Sequence, residues 1–164
     1  MKRKLNKTFM SVAVGLLVSG MSVIATASDT KTFPGSICVE METTSEQIIY
    51  TAGAAENNDS TNSRWFNCPI VLDNTWAYAD VNVSLYVKDY HASKNLECEL
   101  YRGKPDSIIE KVAEANNTGT GYKTIDFGTT DMGIGADGFL SVSCQVPDKE
   151  SSRSGILNII VEEQ

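Results

Sequence analysis

Residues 141–147, "SVSCQVP", alternate as a β-strand does, with side chains pointing to opposite faces at every second position. Leu140, Val142, Cys144 and Val146 share one face, and Ser141, Ser143 and Gln145 share the other. A thiol therefore lies in line with core residues. "NLECELY", residues 95–101, repeats the arrangement: Leu96, Cys98 and Leu100 face one way, Glu97, Glu99 and Tyr101 the other. Two inward cysteines on facing or neighbouring strands can reach the short Cα separation that a disulfide needs. The expected pairing is Cys98–Cys144 across the core, with Cys38–Cys68 as the second bridge, out of three connectivities open to four cysteines.

Disulfides need an oxidising compartment, and the start of the chain agrees. Lys2, Arg3, Lys4 and Lys7 precede a mostly apolar stretch from Phe9 to Ala25, and Ala25-Thr26-Ala27 ends it with small residues. That is the pattern of a secretory signal peptide over residues 1–27, leaving 28–164 as one domain. No cysteine follows the cleavage point as a lipid anchor would require, and no second apolar span follows. The expected location is periplasmic or secreted, with no membrane span in the mature chain.

The leader holds four of the 14 Lys and Arg and none of the 21 Asp and Glu, so residues 28–164 carry a formal charge of −11. A surface of that sign repels phosphate backbones and argues against nucleic-acid binding. The cysteine gaps of 30, 30 and 46 residues lack the close pairs of a structural zinc site.

Strand-like runs recur along the chain between Gly, Asn and Asp clusters. They are "ICVEM", Ile48 to Thr51, "WFNCPIVLD", "VNVSLYV", "LECELY", "YKTIDF", "FLSVSCQV" and "ILNIIVEE". "IIEKVAEA" fits a strand or a short helix. "SDTKTFPGS", residues 28–36, reads as a loose lead-in, and "AAENNDSTNSR", residues 54–64, as a polar surface loop. The expected fold is all-β: a single antiparallel β-sandwich, jelly-roll or immunoglobulin-like, of about eight strands, stapled by disulfides.

Few residues suggest chemistry. His91, the sole histidine, lies between Asp89 and Ser93 on one turn without a nucleophile-elbow motif, so it reads as a solvent-facing loop residue. "DFGTTDMGIGADG" reads as a turn-rich loop. Were it to bind Ca²⁺, Asp131 and Asp137 would be the ligands; otherwise no cofactor is implied. Glu97, Glu99 and Glu110 are available as carboxylates, with Glu97 and Glu99 on a solvated strand face. Among Trp65, Phe66, Trp76, Tyr78, Tyr86, Tyr90 and Tyr101, most suit core or edge packing. Tyr86 and Tyr101 lie on outward faces and are the candidate ligand-binding residues.

"GSICVEM", "NCPIV", "CELY", "SCQVP" and the closing "RSGILNIIVEE" together resemble small exported β-sandwich proteins of Gram-negative bacteria. The resemblance implies a disulfide-linked sandwich outside the cytoplasm and supplies no catalytic residues. The expected function is therefore an exported, non-catalytic module that binds a protein, a glycan or an envelope component. The alternatives are a fimbrial or pilin-like subunit and a calcium-dependent carbohydrate-binding module.

Overall fold

The computed structural model describes residues 29–42, 47–72, 80–103, 109–131 and 139–163. They form β1 (Asp29–Pro34), β2 (Val39–Glu40), β3 (Ile48–Thr51), β4 (Ala54–Asn57), β5 (Arg64–Ile70), β6 (Asp80–Asp89), β7 (Glu97–Gly103), β8 (Ile109–Asn116), β9 (Gly121–Asp131), β10 (Phe139–Val146) and β11 (Gly155–Glu163). A single 3-10 turn, Gly35–Ile37, follows β1.

The strands build two antiparallel sheets. Sheet A runs β3-β4-β11-β6-β9, with β1 also on β11; sheet B runs β2-β5-β10-β7-β8. Among the described strands, only β3–β4 and β7–β8 are hydrogen-bonded neighbours in sequence, because every other connection crosses between the sheets. The β3–β4 turn is tight: Ala52 (φ 49°) and Gly53 (φ 87°) both take positive φ, which matches the right-handed twist of a two-residue hairpin.

The alternating strands meet in one apolar layer. Val81, Val83, Leu85 and Val87 of β6 face Leu140, Val142, Cys144 and Val146 of β10, and all are buried. Phe66, Leu100, Ile125, Ile156 and Ile159 belong to the same buried cluster. Gly35 and Gly155 let the backbones of β4, β11 and the 3-10 turn approach closely. A Cβ on Gly35 would lie 2.0 Å from the Ile156 carbonyl oxygen, and one on Gly155 would lie 2.4 Å from that of Ala55.

The expected disulfides form, Cys38–Cys68 and Cys98–Cys144. Neither crosses the core. Cys98 and Cys144 are directly opposed partners on adjacent strands β7 and β10. Cys38 immediately precedes β2, which pairs with β5, the strand that carries Cys68. Both bridges thus tie neighbours within sheet B, their sulfurs on its inner face.

Two further sequence expectations change, and one open alternative closes. The lead-in is a strand: β1 runs antiparallel along β11 with six paired positions, Lys31 meeting Glu163 and Phe33 packing on the core. "IIEKVAEA" is a strand from Ile109 onward. The polar "AAENNDSTNSR" is largely buried, since Glu56, Asn57, Asp59 and Arg64 are each less than a tenth exposed. Burial is tolerated because each polar group is satisfied. Asn57 Nδ2 donates to the carbonyls of Asn62, Val146 and Pro147. Asp59 accepts from the Thr61 and Asn62 backbone and from the Arg64 guanidinium, which also pairs with Glu42. These bonds, the Thr61 N–H first and Arg64 next, hold the Asp59 carboxyl well below its ordinary range.

Candidate functional site

The outer face of sheet B can be read as rows from its register. Trp65, Gln145, Glu97 and Asn116 lie side by side across β5, β10, β7 and β8. The next row is Asn67, Ser143, Glu99 and Glu114, and the next Pro69, Ser141, Tyr101 and Lys111. Phe139, Gly103 and Ile109 close the end. Small side chains thus occupy the central strand, where Ser141 and Ser143 are 8% and 6% exposed. Large ones stand on the flanking strands. A low centre between tall sides makes a trough.

That trough has a volume of about 630 Å³ and is lined by Met41, Trp65, Asn67, Glu99, Tyr101, Ile109, Phe139, Ser141 and Ser143. It meets a second hollow of about 350 Å³, bounded by Trp65, Glu97, Glu99, Glu114 and Asn116. Trp65 and Glu99 border both. The side chain missing from Gly103 shapes the far end: its Cβ would lie 1.9 Å from the Phe139 ring, so the ring lies over the glycine. Met41, Ile109 and Phe139 are all exposed, by 57%, 64% and 47%, a concentration of apolar surface on one face.

The polar groups of the trough are ordered among themselves. The Tyr101 hydroxyl donates to Glu99. Lys111 bridges Glu99 at 3.2 Å and Glu114 at 2.8 Å. The Tyr101 bond first, then Lys111, lowers the Glu99 carboxyl below its usual value, so it is ionised at neutral pH. The same bond raises the Tyr101 phenol. Ser143 Oγ donates to the Met41 thioether at 3.4 Å.

The sequence candidates separate. Tyr101 lines the trough; Tyr86 lies on the outer face of sheet A, stacked on Tyr122 with ring centroids 6.0 Å apart. Glu97 is exposed, as a solvated strand face predicts, and borders the second hollow; Glu99 is half-buried and borders both hollows, while Glu110 pairs with Arg102. Trp76, Tyr78 and Asp137 lie outside the described residues, and Asp131 is the last residue of β9, paired with Asp80. Among the described residues no group of three or more His, Cys, Asp and Glu could hold a metal.

His91 is buried, at 8% exposure, rather than solvent-facing. Its Nδ1 accepts the backbone N–H groups of Ser93 and Lys94, and its Nε2 lies 3.6 Å from Asp148. Asp89 accepts from the His91 backbone, Ser154 and Asn117, not from the imidazole. The nitrogen that a general base would use is held by the turn itself. This constellation builds a corner between the sheets.

Trp65, Ser141 and Ser143 stand outside the sequence candidates for ligand binding. Their signal was the outward parity of the two serines; which strands flank them is a matter of long-range register.

No protein-family model and no curated protein matches the chain by sequence. Among solved structures, a xylan-binding module, CBM15, superposes with a TM-score of 0.56 at 12% identity, covering 84% of this chain and 97% of its own. The chain is similar to it in fold. A carbohydrate-binding module, CBM36, in complex with calcium and xylotriose covers 79% of this chain and 97% of its own, with a TM-score of 0.48 and 11% identity. At 12% identity the likeness to the xylan-binding module is one of fold alone, and the two antiparallel sheets agree with the β-sandwich implied by the exported-protein resemblance.

Proposed function

We propose that this is an exported, non-catalytic glycan-binding module and that the outer face of sheet B is its binding surface. The trough of about 630 Å³ carries the reading. Its aromatic walls, Trp65, Tyr101 and Phe139, suit the apolar faces of sugar rings, and its floor of Asn67, Ser141 and Ser143 suits their hydroxyls. Such sites are mainly apolar with a few polar groups that fix orientation. The fold supports the reading to the extent that a module with the same architecture is described as xylan-binding. Two disulfides support maturation outside the cytoplasm.

A fimbrial subunit would receive a neighbour's strand at an open sheet edge. Here β1 of the same chain lies along β11, which favours the module over the subunit.

Affinity electrophoresis in gels containing xylan, β-glucan, mannan or chitin tests the proposal. Retardation by at least one polymer is expected, together with its loss in Trp65→Ala at an unchanged melting temperature. No retardation by any neutral or amino-sugar polymer would overturn it.

A further inference from the structure

The charge of the groove selects among glycans, and this step rests on the glycan reading above. We infer that the site takes a polysaccharide whose sugars carry free amino groups, with a cationic ring seated at the Trp65 end. Among the described residues, the side chains lining the two hollows that carry charge at neutral pH are Glu97, Glu99 and Glu114, all acidic. The adjacent cation, Lys111, is shared between Glu99 and Glu114. Glu97 has no ion-pair partner among the described residues. Three carboxylates against one ammonium leave the Trp65 end negative, in a mature chain whose formal charge already has that sign.

The geometry adds a reason for a ring rather than a free ion. Trp65 borders both hollows, so a sugar stacked on its indole sits beside Glu97 and Glu99. An ammonium there gains from the carboxylates and from the aromatic face together. An acidic sugar at the same place would meet like charge and lose by it. A basic peptide is the less suitable occupant. Extended peptides are captured by hydrogen bonds at a strand edge, whereas the trough lies on a sheet face whose backbone groups already pair with one another.

The test is titration calorimetry with a glucosamine oligosaccharide, its fully N-acetylated counterpart and oligolysine. The free-amine sugar should bind about tenfold tighter than the acetylated one at low salt. That advantage should shrink at about 0.5 M salt, where screening is strong. The double variant Glu97→Gln/Glu114→Gln, both at exposed positions, should bring the two sugars to the same affinity. Equal affinity of the two sugars for the unaltered protein would overturn the inference and leave the glycan groove standing. Binding of oligolysine in preference to the amino sugar would overturn it in favour of basic peptides. No binding by either sugar, with none by the neutral polymers above, would remove the glycan reading as well.

Discussion

The two outer faces of the sandwich carry similar residues and arrange them differently. On sheet A, Tyr86 stacks on Tyr122, and Tyr90 meets Tyr122 edge-on at 6.4 Å. Lys88 pairs with Glu56 beside them. The aromatic faces there largely satisfy one another. On sheet B the aromatics stand apart, on β5, β7 and at the start of β10, with the serines of β10 between them. The difference lies in where the small residues fall. A sheet face becomes a trough when its central strand is low and its neighbours are tall. The number of outward aromatics does not decide it.

Covalent bonding is asymmetric as well: both disulfides lie in sheet B, under the trough. The largest effect should come from breaking that asymmetry. Cys98→Ala/Cys144→Ala should lower unfolding free energy by about 4 kcal/mol, given the 46-residue separation. Denaturant unfolding measures this, and hydrogen exchange should show protection falling more in β7 and β10 than in β6 and β9.

Next in size is the loss of glycan affinity on the trough side. Trp65→Ala should cost about 2 kcal/mol of binding, roughly thirtyfold in affinity, as a central aromatic anchor does. Ser143→Phe should also abolish retardation, by filling the floor instead of removing a wall. On the other face, Tyr86→Ala/Tyr122→Ala should leave affinity unchanged and cost about 1 kcal/mol of stability through the lost ring pair.

The smallest effect concerns acid. A carboxyl whose folded-state pKa is lowered contributes stability above its unfolded value of 3.8, and loses it as pH falls toward the folded value. Asp59→Asn should therefore melt below the unaltered protein at neutral pH, with the gap narrowing at about pH 3. A gap independent of pH would place the Asp59 contribution in its shape and not its charge.

Period-two alternation made the main strands legible, because "FLSVSCQV", "LECELY" and "VNVSLYV" sort their side chains cleanly between core and outside. It even sorted the cysteines into the observed pairs. It failed where burial is polar. Glu56 and Asn57 look like loop residues until Lys88, Val146 and Pro147 supply their partners from elsewhere in the chain, and Asp59 until Arg64 closes back on it from the end of the same segment. β1 was hidden for a related reason: "DTKTFP" is a strand by virtue of the edge of β11. The trough was half legible. The outward serines and Tyr101 could be read from parity, but Trp65 and Phe139 join them only through pairings between distant segments. Tyr86 and Tyr101 have equal outward parity, and only the sheet order assigns them to opposite faces.

Backbone amide shift mapping tests the central claim most directly. The ¹⁵N-labelled protein is titrated with the glycan that retards it best. The account predicts shift changes concentrated at Trp65 to Asn67, Glu99 to Tyr101 and Ser141 to Ser143, with β6 and β9 unmoved. Changes centred on Tyr86, Tyr122 and Thr124 would place the binding surface on sheet A and contradict it.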